Sequence, residues 1–265
     1  MIGILIAVAA VIITFLLKGV SPVILINLPS IFIVIVGSTG AVVASFGMAN
    51  FKKVPKLLGL AIKPYASNAV ATRVQLVEYA ARARREGLLS LETDVEKVDD
   101  PFLKHGLQMV IDGMEPETVE EVLELEIEAL KNRHAVGHQM WSLWAGYAPT
   151  FGILGAVMGL IAVMAHLSEP EKLGAGIQVA FIATLLAVGL ANILFMPMSV
   201  ALKQKTTLEV AEKQMALAGI LALQAGDHPR VVAQKLDTFL TPAQRLTIPD
   251  KGSSAAAGAE AAEAA

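Results

Sequence analysis

The stretch MWSLWAGYAPTFGILGAVMGLIAVMA, residues 140–165, decides the fold. It holds no Asp, Glu, Lys or Arg, and it exceeds the roughly 20 apolar residues needed to cross a hydrocarbon core about 30 Å thick. Three more segments share that lack of charge: Ile2–Leu17, Ile31–Ala49 and Ile177–Leu202. The second and fourth of the set meet the length requirement. The first is marginal, a shortfall that Lys18 relieves by snorkelling or the bilayer by thinning. One long charged stretch, Phe51 to Gln139, separates the first pair from the second. The reading is an all-α membrane protein with four transmembrane helices and a large helical cytoplasmic domain between the second and third.

Composition agrees. The 265 residues are 55% hydrophobic, with mean hydropathy +0.61, above the ~45–50% apolar share of soluble domains. A net charge of −3 gives no pull toward nucleic acid, and the absence of Cys removes disulfides, thiolate metal sites and thiol nucleophiles. A cleaved signal peptide at Met1–Leu17 is disfavoured, because Lys18 follows the apolar run and no positive n-region precedes it. Lys52, Lys53, Lys56 and Lys63 follow the second segment, Lys131 and Arg133 precede the third, and Lys203 and Lys205 follow the fourth. Only Lys18 and Lys172 flank the other side. By the positive-inside rule both termini and the long loop are expected in the cytoplasm, with short outer links at Lys18–Ser30 and His166–Gly176. The expected domains are 1–50 (helices one and two), 51–139 (cytoplasmic), 140–202 (helices three and four), 203–250 (cytoplasmic helical tail) and 251–265 (disordered tail).

Inside the loop, Val70, Val74, Val77 and Ala81 recur at helical spacing, with Arg73, Glu78, Arg82 and Arg84 on other faces. A turn is expected at Gly87. Pro101 opens a helix that should stop at Asp112-Gly113. Thr118 and Glu121 have capping-box spacing, followed by an apolar stripe of Val119, Val122, Leu123, Ile127 and Leu130 that runs toward the third span. An amphipathic helix over Lys203–Leu223 and a short helix after Pro229 complete the pattern.

In the third segment Gly155 and Gly159 make a GxxxG pair beside Gly152 and Ala156, a spacing that ordinarily serves close helix packing. Pro149 removes a hydrogen bond from its helix and frees a carbonyl. The fourth segment aligns Ala180, Thr184, Ala187 and Ala191 on one side. Two readings of Thr184 stand: a back-bond to its own helix, or a polar contact in an ion path. Asn192 serves packing or hydration equally well, Pro197 is expected to kink or end the span, and Gly37 and Gly40 mark one packed side of the second. No membrane segment carries an acid, so an ion crossing here needs a carrier from a second polypeptide.

With these residues in view, the chain resembles the MotA/PomA family of flagellar stator subunits over nearly its whole length. Three motifs carry the resemblance, in order: the charged run Ala83-Arg84-Arg85-Glu86-Gly87-Leu88-Leu89-Ser90-Leu91-Glu92, the third-helix run Ala148–Leu160, and the tail Gly219–Arg230. The resemblance implies a ring of five subunits in the bacterial inner membrane. The ring would surround two copies of a MotB-type partner whose membrane helix carries an aspartate. It implies that ion flow is converted into torque on the rotor protein FliG, driving flagellar rotation in chemotaxis. Pro149 and Pro197 match the family's functional prolines, and Thr184 matches the threonine facing the partner's aspartate. Gly152, Gly155, Ala156, Gly159, Ala180 and Ala187 complete the expected partner-facing ion path. Arg84, Arg85 and Glu92 match the rotor-contacting charges. Sodium-type relatives carry a threonine where this chain has Ala156. Hard cations need several oxygen ligands, so protons are expected.

The neighbouring alternative is an ExbB/TolQ-like proton-driven subunit energising outer-membrane processes, which would have three spans. An autonomous channel is disfavoured by the uncharged spans. Enzyme activity, cofactors and metals are not expected: His134 and His138 lack the intervening Glu of a zinc motif, since Ala135 stands there, and no phosphate-binding loop occurs.

Overall fold

The computed structural model describes residues Ile2–Ile248; their regular structure is helical, with no strand among the described residues. The longer helices are α1 (Ile2–Leu17), α2 (Leu28–Phe46), α3 (Val54–Ile62), α4 (Ala69–Glu86), α5 (Pro101–Ile111), α6 (Pro116–Ala165), α7 (Pro170–Gly189), α8 (Met196–Gln224) and α9 (Pro229–Asp237). A π-helical turn, Leu190–Phe195, joins α7 to α8 without a break, and a second, Phe32–Gly37, lies within α2. Three stretches are long and apolar enough to cross a membrane: Leu28–Phe46, Pro116–Ala165 and Leu173–Gln224. The helix α1 is apolar but shorter. The tail expected to be disordered lies outside the described residues.

Helix ends differ from the sequence reading for local reasons. The helix α2 begins before Ile31 because Asn27 caps it, accepting from the Ser30 amide at 3.0 Å, with Pro29 in the first turn. It ends at Phe46 rather than Ala49, because Gly47 takes φ +76°, a conformation open to glycine. Pro170 likewise starts α7 inside the expected outer link. The capping box expected at Thr118 is not the start of α6: Pro116 sits at the first helical position, and the Thr118 and Val119 amides both donate to Glu115 O. Pro197 neither ends the helix nor stands alone. The π turn just before it offers widened backbone where a missing N–H would otherwise leave a carbonyl stranded.

The chain folds as two compact units. One combines Ile2–Pro64 with Arg133–Gln204. Its centre is an aromatic cluster in which Trp144 stacks on Trp141 (centroids 5.5 Å apart) and on Phe195 (4.5 Å). The buried Trp144 indole donates to Ser38 Oγ at 3.0 Å, and Ser38 donates to Val34 O, so a serine at the π turn of α2 is fully satisfied.

The other unit combines Tyr65–Asn132 with Lys205–Ile248. Insertion and tail, far apart in sequence, share one core built on Leu76, Leu91, Leu103, Leu107, Leu123, Met215, Ile220 and Leu236. Gly219 lets α8 approach α4, since a Cβ there would lie 2.6 Å from Leu76 Cδ1. As expected, Gly87 turns the chain (φ +83°), and α5 stops at Asp112 with Gly113 at φ +76°. The buried stripe of α4 is offset from the one read in the sequence. It takes in Ala69, Arg73, Leu76, Val77 and Ala80, while Val70, Val74 and Ala81 are only half-buried. Arg73, placed on an outer face by spacing, is 8% exposed. It forms a two-pronged pair with Asp237 of α9, Nε to Oδ1 at 3.0 Å and Nη2 to Oδ2 at 3.3 Å.

Candidate functional site

The glycines of α6 create the site by letting α7 come close. A Cβ at Gly159 would lie 2.9 Å from Gly176 O and 3.0 Å from Ala180 N; one at Gly155 would lie 2.9 Å from Ala183 Cβ and 2.8 Å from Ile33 Cγ2. At Gly152 it would run into the Ala187 methyl and sit 3.2 Å from Ala183 O. Between membrane helices no hydrophobic force drives association, so small residues in register supply the contact. Ala180, Ala183, Ala187 and Ala191 are all buried. Gly152, Gly155, Gly159, Ala180 and Ala187 therefore meet one another within the chain.

Thr184 and Ala156 sit differently. By helical phase each lies one step round from the packed stripe, and both are half-buried. Beyond Thr184 the surface continues with exposed Phe181, Leu185 and Val188, and beyond Ala156 with exposed Ile153 and Leu160. Because α6 and α7 run antiparallel, these residues share one side of the helix pair. The opposite side is covered by α2: Gly37 abuts the Phe151 ring, Ile33 abuts Gly155, and the buried Ser30 hydroxyl lies 3.2 Å from Val179 O and 2.8 Å from Asn27 Oδ1. Gly40, the other glycine expected to mark a packed side, has no atom within 4 Å of its would-be Cβ.

Both readings of Thr184 bear on its chemistry. Its Oγ1 donates to Ala180 O at 3.1 Å. The proton is thereby committed, and what the oxygen offers the open side is acceptor capacity alone. Asn192 behaves similarly, its Nδ2 donating to Val188 O at 2.9 Å. Pro149 is half-buried, about two turns from Ala156 along α6. Pro197 lies some 13 residues, or about 20 Å, from Thr184. It lines a cavity with Asn192, Met198 and residues of α1 and α3, so the structure does not bring it to Thr184.

In the other unit, Arg84 and Arg85 are exposed on the last turn of α4. Glu92 is exposed where the chain resumes helix after the Gly87 turn and the 3-10 turn Leu88–Leu91. Glu86, next to them, pairs with Arg82 at 3.1 Å, and Arg82 also pairs with Asp94. Glu126 instead sits 3.4 Å from His105. Tyr65, hydrogen-bonded to Glu212 at 3.0 Å, is pushed above the ordinary phenol range by burial and then by that carboxylate; burial also raises Tyr79.

Sequence reasoning missed Ala183 and Gly176, both packed against the α6 glycines, and the Ser38–Trp144 bond. The spacing Gly176, Ala180, Ala183, Ala187 is itself a continuous small-residue stripe and is signal enough for the first two. The bond is not foreseeable, since its members lie 106 residues apart.

This geometry has close counterparts among known proteins. The profile described as the MotA/TolQ/ExbB proton channel family matches residues 94–215. Motility protein A of Borreliella burgdorferi is 41% identical over 219 residues, 83% of this chain and 84% of that protein. Motility protein A of Bacillus subtilis is 39% identical over 253 residues, 95% of this chain and 94% of that protein. The solved flagellar MotAB stator complex from Bacillus subtilis superposes with a TM-score of 0.85 at 39% identity, covering 92% of this chain and 96% of the matched one.

Proposed function

The chain belongs to the MotA/TolQ/ExbB proton channel family and is a flagellar motor stator subunit; from that premise we propose how its residues do the work. Four spans sit in the bacterial inner membrane with both termini in the cytoplasm. Five copies surround two copies of a MotB-type partner, and the partner contributes an aspartate at membrane depth. The matched stator structure, a MotAB complex, supports a MotB-type partner.

The observation that carries the reading is the Gly152/Gly155/Gly159 seam with α7, which leaves Thr184 at the edge of an otherwise apolar open side. An ionised carboxylate at a helix centre costs roughly 2.5–3.5 kcal/mol on insertion scales. Against this side it gains nothing from Thr184, whose proton is held by Ala180 O. A protonated carboxylic acid can instead donate to the Thr184 oxygen, and a bond to the neutral form raises the acid's pKa. The face thus accepts the partner's acid once it has taken a proton, and Pro149 and Pro197 shape the helices that form the path. Ala156 brings no oxygen, so a hard cation finds too few ligands and the ion is a proton. Each charge falling through 100 mV releases about 2.3 kcal/mol, which biases a step of the ring past the partner. Arg84, Arg85 and Glu92 pass that step to FliG as torque.

The ExbB/TolQ-like alternative shares the family profile, but the motility protein A relatives align over 84% and 94% of their own lengths, which favours the stator reading. The test is proton flux in vesicles holding the chain and its partner, comparing Thr184→Val with Thr184→Ser. Loss of one hydrogen bond of about 1.4 kcal/mol predicts a roughly tenfold drop for valine and retention for serine. Equal flux in both variants, or vigorous selective leakage by the chain without its partner, overturns the proposal.

A further inference from the structure

A cavity of about 310 Å³ opens between α1, the end of α3 and the start of α8. Its walls are nearly all apolar, among them Ile4, Ala7, Ile62, Pro197 and Met198, with the amide of Asn192 as the exception. No residue of α1 is fully buried: Ile4 packs against the core around Trp144, and Gly3, Ile4 and Ala7 border the cavity. The volume lies at the low end of ligand sites, roughly 300–1,000 Å³, and suits a slender apolar occupant.

Charge identifies what that occupant is attached to. Lys63 directly follows the lining residue Ile62, Lys203 lies two residues beyond the lining residue Ala201, and both are exposed. Lys52, Lys53 and Lys56 are exposed on the same connection between α2 and the end of α3. No Asp or Glu precedes Glu78. In the other part of this unit Glu169 and Glu171 stand more than 30 residues before Lys203, at the far end of α7 and its continuation, roughly 50 Å away along the helix. The first acid after Lys203 is Glu209, six residues on along α8, so Lys52, Lys53, Lys56, Lys63 and Lys203 outnumber the acids near this end of the cavity and leave it net positive. Basic residues at a membrane edge attract anionic headgroups by about 1 kcal/mol each.

We propose that this cavity is a binding site for an anionic phospholipid, one acyl chain lying between α1 and α8 and the phosphate held at Lys63 and Lys203. The lipid fills the space that Ile4 and Ala7 of α1 border. The inference needs only the membrane placement of these helices, so it stands or falls separately from proton flux.

The test uses the full chain with its partner in nanodiscs of equal phosphatidylglycerol and phosphatidylethanolamine, followed by detergent extraction and mass spectrometry of retained lipid. The native chain should retain phosphatidylglycerol over phosphatidylethanolamine by about tenfold, and Lys63→Gln with Lys203→Gln should bring that ratio close to one. Ala7→Phe, which fills the cavity, should lower total retained lipid severalfold, while Lys18→Gln should change neither quantity. An unchanged lipid ratio in the double lysine variant overturns the proposal, since that surface change leaves the core intact. Near-complete cross-linking of Ala7→Cys to a second copy would also overturn it, by showing that protein fills the space.

Discussion

Gly159→Ala tests the seam on which the functional reading rests. The added methyl would sit 2.9 Å from Gly176 O, 3.0 Å from Ala180 N and 3.2 Å from Ala180 Cα. All three are backbone atoms, so no rotamer change relieves the contact. Ordinary contact between such atoms needs about 3.5 Å or more, so α7 must move by roughly 0.5 Å or the pair must splay. Overpacking of this kind costs about 1–3 kcal/mol. Gly146→Ala is the matched control: nothing lies within 4 Å of its would-be Cβ. Thermal denaturation of the purified chain in detergent, with spin-label distances between α6 and α7, reads both effects. Gly159→Ala should melt several degrees lower with a displaced α7, and Gly146→Ala should match the parent. If Gly159→Ala keeps both the melting point and the distance, the close approach of α6 and α7 is wrong, and so is the argument that it sets the position of Thr184.

Arg73→Met strands the Asp237 carboxylate; because Asp237 is 31% exposed, the loss should fall near 1–3 kcal/mol rather than at the top of the buried-pair range, and Arg73→Met with Asp237→Leu should recover more than half of it by thermal denaturation. Arg84→Glu should abolish most swimming in a motility assay yet leave partner-dependent proton flux in vesicles within about twofold, since Arg84 lies on α4, outside the membrane unit; equal loss of both would remove that division of roles. Tyr65 and Tyr79 bind their protons more tightly folded than unfolded, so their contribution to stability is intact below about pH 10 and is lost as pH rises beyond it. Tyrosinate absorbance should therefore show Tyr65 and Tyr79 resisting ionisation until alkaline unfolding, and Tyr65→Phe should lower the stability lost between about pH 10 and 11.

Much of this protein is legible in its residues alone. Hydropathy is additive along the chain, so uncharged runs, the charged insertion and the glycine and alanine stripes can be read residue by residue. Turn positions at Gly87 and Asp112-Gly113 are equally local, because glycine φ preference and helix stopping depend on a few neighbours. Everything decided by a distant partner required the tertiary structure. Arg73 is inside because Asp237, 164 residues on, meets it. The α4 stripe is rotated because α8 and α9 pack against it, and the ends of α2 follow caps and a glycine rather than the apolar run. Most consequentially, the stripe on α7 could have faced a partner or its own chain. Only the approach of α6 shows that its alanines are spent within the chain, leaving Thr184 at the edge. A one-dimensional pattern states which residues share a face; which surface that face meets is a property of three-dimensional packing.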